Sequence, residues 1–282
     1  MSGTLYLCAT PIGNLGDISA RCLEILKNVD IIACEDTRRT LQLLNHFGIK
    51  KQLTSYHEHN KSEKGEIIIN MLKNGKNAAL VSDAGTPAIS DPGEDLVKLC
   101  IENEISVTSV PGCVAAVNAL ILSGLPTRRF SFEGFLSVNK RHRYEHLESV
   151  KNDSHTLIFY EAPHKLKRTL SDMLEIFGNR KIALVRELTK IHEEVIRTDL
   201  KKAQYLYNEN SPKGEFVLVI EGTTEIKTEN FWDNLSVSEH IQAYINEGLG
   251  QNEAIKRAAK ERGLARRDVY NEYHKINEGD KK

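Results

Sequence analysis

Side chains that can move a proton or hold a phosphate cluster in three short segments, each directly after a predicted strand. Carboxylates and imidazoles can take a proton from a weak nucleophile such as a hydroxyl group, which accelerates a reaction by roughly 10²–10⁴-fold. Arginine guanidinium groups bind phosphate through two parallel hydrogen bonds. The candidate residues are Glu35, Asp36, Arg38 and Arg39 in the first segment, His57, Glu58 and His59 in the second, and Glu187 and Lys190 in the third.

Each of these segments also has a structural interpretation. Glu35 and Asp36 could form an acidic pair that stabilises a helix N-terminus through the helix dipole. Glu187 could form an ion pair with Arg186 or Lys190. The two histidines share a strand face, but no third ligand follows at a spacing typical of zinc sites, so we expect no metal. The sequence therefore does not identify which residue acts as the base. Catalysis by positioning of the reactants, without a dedicated base, is an alternative.

Three loops rich in glycine, proline or small residues follow the first, fourth and fifth predicted strands, over residues 10–17, 82–93 and 110–116. Open α/β sheets bind ligands beyond the carboxyl ends of their strands, and glycine lets the backbone approach a ligand closely. The carboxylate of Asp83 suits a ligand amine or a ribose hydroxyl, whereas Asp91 could be only the N-cap of the next helix. Three such loops in one domain predict a shared ligand cleft.

The elements that position these loops follow a regular order. Apolar strands alternate with amphipathic helices in the first part of the chain, which predicts an α/β domain with a largely parallel sheet. After a break at residues 123–126, strands joined by short turns predict a second α/β domain with a mixed sheet. Three short helices then predict a small helical appendix. We expect domains over residues 1–122 and 127–224 and the appendix over residues 236–282.

The composition fits a globular protein and excludes some functions. The 282 residues include 38 Lys and Arg against 39 Asp and Glu, for a net charge of −1. This balance excludes a polycation that coats nucleic acid, although a local basic patch can still bind it. The five cysteines form no CxxC pair, so we expect reduced thiols in a cytoplasmic protein. Neither a signal peptide nor a long apolar span is predicted.

Nine stretches occur in an order typical of one enzyme superfamily: LYLCATPIGNLGDIS, IIACEDTRRT, SYHEHN, LVSDAGTPAISDPG, VPG, FEGFL, IFYEAPHKL, VRELTKIHEE and GEFVLVIEG. Together they resemble the tetrapyrrole methylase superfamily of S-adenosylmethionine (AdoMet)-dependent methyltransferases. Within it, they resemble the members that methylate the 2′-hydroxyl of a cytidine in 16S ribosomal RNA. The segment KRAAKERGLARRDVY extends the resemblance to nearly the whole chain.

The resemblance implies AdoMet as the cofactor, bound between two α/β domains of a homodimer. It implies 16S rRNA or the 30S subunit as the partner, a decoding-centre cytidine as the target, and no DNA or membrane partner. The residues that we expect to take part in catalysis stay those named from the sequence itself, Glu35, Asp36, Arg38, Glu187 and Lys190, with Arg38 as a phosphate ligand. The implied cofactor-binding residues are Pro11, Ile12, Gly13, Asp83, Ala84, Gly85, Thr86 and Pro87 on the methionine side, Pro111, Gly112 and Val114 near the middle, and Tyr160, Glu161 and Leu184 at the adenosine.

Basic segments supply the cationic surface that RNA binding needs. A loop over residues 139–143, a helix start over residues 163–168 and a group in the appendix are the candidates, although each could be an ordinary solvated face. Two rival functions stay open: a methyltransferase of the same fold that acts on a small tetrapyrrole or a protein, and an RNA-binding module without turnover. The basic residues of the appendix are Lys256, Arg257, Lys260, Arg262, Arg266 and Arg267.

Overall fold

The first half of the chain forms a five-stranded sheet in which every pairing is parallel. Continuous apolar runs make its central strands, which are buried on both faces because helices cover both sides. The elements are β1 (Thr4–Cys8), α1 (Ala20–Asn28), β2 (Ile31–Cys34), α2 (Thr37–His46), β3 (Gln52–Ser55), α3 (Lys61–Lys73), β4 (Ala78–Val81), α4 (Gly93–Glu102), β5 (Ser106–Val110) and α5 (Ala115–Ser123). The strand order is β3-β2-β4-β1-β5.

The second sheet also has five strands, but its pairings are mixed. One edge pair is parallel and the other three pairs are antiparallel, and one of these three joins strands that are consecutive in the chain. The elements are β6 (Phe130–Phe135), α6 (Lys140–Val150), β7 (Thr156–Glu161), α7 (Pro163–Phe177), β8 (Lys181–Arg186), β9 (Glu194–Asp199), α8 (Leu200–Glu209) and β10 (Phe216–Ile220). The strand order is β6-β7-β10-β8-β9.

Helix α5 links the two sheets. Its sequence AAVNALILS contains no charged residue, and its buried residues Ala116, Ala119 and Leu120 join one apolar cluster with Val185 and Val217 of the second sheet. The helix that follows the first sheet therefore packs on the second one. The division of this region into domains at residues 122 and 127 stays a prediction.

The computed structural model describes residues 2–209, 211–224 and 231–279, except for the side chains of residues 209 and 275–279. Both sheets lie in a unit of residues 1–226, and residues 227–282 form a second unit. The second unit contains α9 (Val237–Asn246), α10 (Gln251–Arg262) and α11 (Arg266–Gly279). These helices pack around a small core of their own, which includes Ile241 and Ile255.

These elements confirm the predicted fold class of parallel sheet, mixed sheet and helical appendix. All five cysteines are free thiols. In the described ranges, no helix combines the length and the apolar character needed to cross a bilayer. One expectation is wrong: residues 140–143 are not a loop but the start of α6, because the side chain of Asn139 accepts hydrogen bonds from the first amides of that helix.

Candidate active site

The loop after β4, residues 82–92, is named here the aspartate loop, and it is tied to the loop after β1. Gly85 and Thr10 exchange two backbone hydrogen bonds of 2.9 and 3.1 Å. The hydroxyl of Thr86 donates to the carbonyl of Cys113 at 3.0 Å, which ties the aspartate loop to the loop after β5. The three loops that the sequence singled out are therefore joined to one another at one edge of the sheet.

Asp91 closes the far end of the aspartate loop. One of its carboxylate oxygens accepts from the amides of Ala88 at 3.0 Å and Gly93 at 2.8 Å. Ala88 and Ser90 both adopt left-handed backbone, with φ of 65° and 64°, a conformation that costs non-glycine residues roughly 1–2 kcal/mol. The N-cap of α4 is Pro92 and not Asp91. The Asp91 carboxylate stabilises the loop through the Ala88 amide and the start of the helix through the Gly93 amide.

Asp83 is oriented by two donors from the segment after β2. The amide of Asp36 donates to one carboxylate oxygen at 3.1 Å, and Arg39 forms an ion pair of 3.1 Å with the other. Glu35 lines the same cavity. Burial of its carboxylate and the negative charges of Asp83 and Asp91 raise the pKa of Glu35 above its ordinary value. Glu35 therefore binds a proton more readily than an isolated glutamate in water does.

The neighbouring candidates Asp36 and Arg38 have a structural role. Asp36 is the N-cap of α2, and its carboxylate accepts from the amide of Arg38 at 2.8 Å and from the guanidinium at 2.9 and 3.2 Å. The hydrogen bonds from Arg38 lower the pKa of Asp36 to about 2. Such an acidic carboxyl is a poor general base near neutral pH.

A second loop, residues 187–193, follows β8 and is named here the lysine loop. Nζ of Lys190 lies 2.9 Å from an oxygen of Glu187 and 3.0 Å from an oxygen of Glu215. Glu187 and Thr189 have φ of 50° and 66°, and the threonine is β-branched, so this backbone is strained. The amide of Thr189 donates to the carboxylate of Glu193 at 2.6 Å, which helps to hold it there.

These contacts set the charges of the lysine loop. Burial disfavours ionisation of Glu187, yet hydrogen bonds from the Glu215 amide and from Lys190 hold its pKa below the ordinary value. Burial likewise disfavours the charged form of Lys190, but its bonds to the two carboxylates raise its pKa. Lys190 is therefore a fixed cation and not a base.

The lysine loop meets the loop after β1 at Gly13. A Cβ atom added to Gly13 would lie 2.4 Å from Cγ of Lys190 and 2.9 Å from the hydroxyl oxygen of Thr189. Both distances are shorter than any non-bonded contact that carbon tolerates, so only glycine fits here. This contact connects the two sheets at the edge of the cavity.

The second sheet supplies the remaining wall through β7. The hydroxyl of Tyr160 accepts from the amide of Ala116 at 3.1 Å, at the start of α5. The side chain of Glu161 is 1% exposed, and it accepts from Thr169 at 2.5 Å and pairs with Lys165 at 3.1 Å. Leu184 points into the core on the other side of the sheet. For Glu161 and Leu184, a ligand contact would therefore be through the backbone.

A cavity of about 550 Å³ lies among these loops, within the range of small-molecule sites of roughly 300–1,000 Å³. Both sheets contribute to it. Of the predicted residues, those that line it are Ile12, Glu35, Asp83, Ala84, Gly85, Thr86, Val114, Tyr160, Glu161 and Lys190. Ser82, Ile89, Ser90, Asp91 and Ala115, which belong to the predicted loops, also line it, as do Arg39 and Ala162 beside other predicted residues. The lining residues that sequence reasoning missed are Phe135, Pro163, Val185, Leu188, Glu215, Phe216 and Val217.

A smaller cavity of about 310 Å³ lies beside it and shares three lining residues with it: Arg39, Ser82 and Asp83. Its other lining residues are Thr10, Pro11, Gly13, Leu15, Thr40, Gln42 and Leu43. The predicted residues that line neither cavity are Asp36, Pro87, Arg38, Pro111, Gly112, Leu184 and Glu187. Gly112 nevertheless packs closely, because a Cβ there would lie 2.7 Å from Cβ of Ala9.

The histidine segment contributes to neither cavity. Nε2 of His57 lies 3.2 Å from the amide nitrogen of Asn60, which also bonds Ser55. In the described part of the chain, no three His, Cys, Asp or Glu side chains are arranged to hold a metal ion. Asn60 therefore ties this segment to the end of β3.

The basic segments differ in how many of their cations are free. Arg143 is buried, forms a 2.6 Å ion pair with Asp172 and donates to two carbonyl groups. Arg262 is likewise occupied, because it donates to three carbonyl groups and to His240. Within the described residues of the three predicted basic segments, the exposed Lys and Arg side chains without an ion pair are Lys140, Lys167, Arg168, Lys256, Lys260, Arg266 and Arg267.

Comparison with known proteins places the chain among methyltransferases. A family model described as tetrapyrrole (corrin/porphyrin) methylases matches residues 4–204. The chain is 52% identical over 274 residues to the ribosomal RNA small subunit methyltransferase I of Halalkalibacterium halodurans, covering 96% of this chain and 95% of that protein. It is 48% identical over 275 residues to the Bacillus subtilis protein of the same name, covering 96% and 94%.

Solved structures show the same fold. The crystal structure of uroporphyrin-III C-methyltransferase from Thermus thermophilus, complexed with S-adenosyl homocysteine, matches with a TM-score of 0.55 at 16% identity. The match covers 78% of this chain and 97% of that one. At this level of identity the likeness concerns the fold alone.

Proposed function

The chain belongs to the tetrapyrrole methylase family, and from this membership we propose that it transfers a methyl group from AdoMet to the 2′-hydroxyl of a cytidine in 16S ribosomal RNA. The relatives named ribosomal RNA small subunit methyltransferase I, which match nearly the full chain, carry the proposal. The partner is 16S rRNA or the 30S subunit, and we propose a homodimer as the working form.

The walls of the larger cavity fit AdoMet. One side carries the carboxylates of Glu35, Asp83 and Asp91, which suit a ligand with a sulfonium and an ammonium group. The opposite side is apolar and aromatic, including Tyr160 and Val217, and suits a flat heterocycle. Lys190 also lines this cavity, but its ammonium group already pairs with two carboxylates. The cavity therefore provides matching surfaces for the cationic groups and for the heterocycle.

The reaction that follows is an in-line displacement. Bound AdoMet supplies a methyl group whose bond electrons stay with sulfur, while the ribose oxygen forms the new C–O bond and gives up its proton. Holding the two reacting atoms in line accounts for up to about 7–11 kcal/mol of a barrier. Glu35 is the candidate proton acceptor, because it lines the cavity and because partial burial and nearby carboxylates raise its pKa above the ordinary value.

RNA binding is supported by the free cations. Phosphate contacts supply most sequence-independent affinity for nucleic acids, and Arg168 and the exposed basic residues of the appendix are available for them. A methyltransferase for a small tetrapyrrole would not need such side chains. We therefore favour RNA over the small-molecule substrates of other family members.

The test is methyl transfer from labelled AdoMet to 30S subunits and to naked 16S RNA from a strain that lacks the modification. We expect label on one cytidine ribose, mapped by resistance of the adjacent phosphodiester to alkaline hydrolysis. Label on a base, on protein or on a tetrapyrrole would refute the substrate. An absence of AdoMet binding at millimolar concentration would refute the enzyme itself and favour an RNA-binding module.

A further inference from the structure

We propose that the edge of the second sheet at the carboxyl ends of β6 and β7 binds single-stranded RNA that flanks the target nucleotide, with one base stacked on Phe135. The inference rests on the proposed function, because its partner is the RNA of that reaction. This edge is named here the aromatic rim, and it adjoins the larger cavity, which Phe135 and Pro163 line. Its residues are Phe135, Lys140, His164, Lys165 and Arg168.

A bulge in β6 turns Phe135 toward the cavity. The parallel register of β6 and β7 shifts between Phe132 and Gly134, and Gly134 adopts left-handed backbone with φ of 65°. Such a bulge changes which side chains share a face of the sheet. In a regular strand Phe132 and Phe135 would lie on opposite faces, yet both rings contact Tyr160, at centroid distances of 5.0 and 5.4 Å. The backbone itself therefore holds Phe135 on the cavity face.

The ring of Phe135 has the surroundings of a stacking surface. It is 55% exposed, and the edge-to-face contact with Tyr160 fixes it, so the ring is both held and open to a ligand. Nζ of Lys165 lies 5.5 Å from the ring centroid. Glu161 and the carbonyl of Leu136 in turn hold this ammonium group, at 3.1 and 3.4 Å. Aromatic rings beside cations bind single strands, because every unpaired base offers a π-face.

The packing of α6 on α7 places two exposed cations side by side. Each helix connects two strands of the same direction, β6 to β7 and β7 to β8, so both helices begin at the rim. The Tyr144 hydroxyl on α6 donates to Asp172 on α7 at 3.1 Å, which makes these residues neighbours. Lys140 and Arg168 each lie one helical turn before them, toward the rim. They therefore form a pair of cations beside the helical turn that carries Lys165.

Two buried acidic residues next to these cations are neutralised from within the protein. The carboxylate of Glu161 pairs with Lys165 at 3.1 Å, and that of Asp172 pairs with the buried Arg143 at 2.6 Å. The two exposed cations, by contrast, form no ion pair in the part of the chain that the structure describes. Their charges are therefore available to phosphate groups. A single strand is favoured over a duplex, because the bases of a duplex are already stacked on one another.

The test measures RNA binding with the cofactor site filled. A short, unstructured polypyrimidine RNA with a fluorescent label is titrated into protein saturated with S-adenosylhomocysteine, and its anisotropy is recorded. Phe135→Ala should raise the Kd for this RNA about tenfold, because a base–aromatic stack is lost, and Phe135→Trp should restore it. Phe130→Ala is the matched control, because Phe130 is at the other end of β6, is 43% exposed and lines neither cavity. It should keep the Kd within about twofold.

The salt dependence of binding tests the two cations. Lys140→Gln combined with Arg168→Gln should lower the slope of log Kd against log salt concentration by about 1.4, since each phosphate contact to a single strand contributes about 0.7. Arg128→Gln combined with Arg129→Gln removes the same charge from exposed residues at the other end of β6 and should leave the slope unchanged. These double variants provide the test if Phe135→Ala does not fold.

The binding measurements separate this inference from the proposed function, because they need no methyl transfer. RNA affinity that depends on Phe135 supports the rim even if the protein methylates no RNA. The inference is overturned if the wild-type protein binds no single-stranded RNA, or if the two double variants change the salt slope equally. It is also overturned if Phe135→Ala weakens only the binding of AdoMet, because the ring then belongs to the cofactor site. Methylation of 30S subunits together with any of these results would leave the proposed function intact.

Discussion

Two loops that line the larger cavity, the aspartate loop and the lysine loop, are held in strained conformations by opposite means. In the aspartate loop, a carboxylate accepts from backbone amides and further carboxylates stand near Glu35, which raises its pKa. In the lysine loop, a half-buried cation lies between two carboxylates and the pKa of Glu187 is lowered. One wall thus concentrates carboxylates, whereas the other offsets part of its negative charge with the ammonium group of Lys190.

The largest effect is expected from removing the cation of the lysine loop. Lys190→Met leaves Glu187 and Glu215 facing each other without a counter-ion and frees the strained backbone. We expect kcat/KM for RNA methylation to fall roughly 10²-fold, because a displacement of about 1 Å at a reacting site can cost that much. Steady-state kinetics and thermal unfolding would measure the effect.

The matched control is Lys202→Met. Lys202 also forms an ion pair, 3.0 Å from Asp199, but it is 78% exposed and lines neither cavity. Its loss should change stability by less than about 1 kcal/mol and leave kcat/KM unchanged. Equal losses of activity in the two variants would mean that the lysine loop has no special role.

A smaller effect is expected in the aspartate loop. Asp91→Ala leaves the amides of Ala88 and Gly93 without their acceptor, which costs about 1–3 kcal/mol. The Kd for AdoMet should rise about tenfold, as calorimetry would show, because Ser90 and its neighbours shape the cavity. Asp199→Ala removes a comparable bond to the amide of Lys202, 2.9 Å long and away from the cavity. It should lower stability without changing the Kd, and a change in Kd there would contradict the comparison.

The smallest expected effect is that Glu35 and Glu187 change the free energy of unfolding with pH in opposite directions. The folded protein binds the Glu35 proton more tightly than the unfolded chain does, so this group makes stability fall as pH rises above about 4.3. The lowered pKa of Glu187 does the reverse: its stabilisation is present above that pH and is lost as pH falls through the folded pKa.

Urea unfolding between pH 3 and 7 would check these signs. Glu35→Gln should become relatively more stable than wild type as pH rises, by at most about 1 kcal/mol because solvent screens the group. Glu187→Gln should become relatively less stable over the same range. Parallel curves for the two variants would show that the two walls do not differ in charge environment.

Much of this site was predictable because strand ends in a parallel sheet converge. The glycines and prolines after β1 and β4 marked two loops, and the structure ties Thr10 to Gly85. The lysine loop carries no glycine, so its left-handed residues gave no signal in the sequence. Its conformation depends on Glu215, 25 or more residues away along the chain, and such tertiary contacts have no local pattern.

The direction in which side chains point was the second feature that the sequence did not predict. Leu184 and Val185 are neighbours in a strand that is apolar on both faces, so alternation does not indicate which one faces the cavity. The structure places Val185 there and Leu184 in the opposite core. Arg143 likewise read as a surface cation because its partner Asp172 lies on another helix. Sequence patterns do not show which face of a fully apolar strand lines a cavity, and they do not reveal ion pairs between residues that are far apart in the chain.

The close packing of Gly13 on Lys190 has an evolutionary consequence. Any side chain at position 13 would have to displace a lysine stem that is fixed by two carboxylates. Among descendants of this chain, position 13 should therefore remain glycine for as long as position 190 carries a long side chain. A side chain at position 13 would be tolerated only after position 190 had lost its Cγ atom and the Thr189 hydroxyl, 2.9 Å from the added Cβ, had moved away. A change at position 13 should therefore follow changes in the lysine loop.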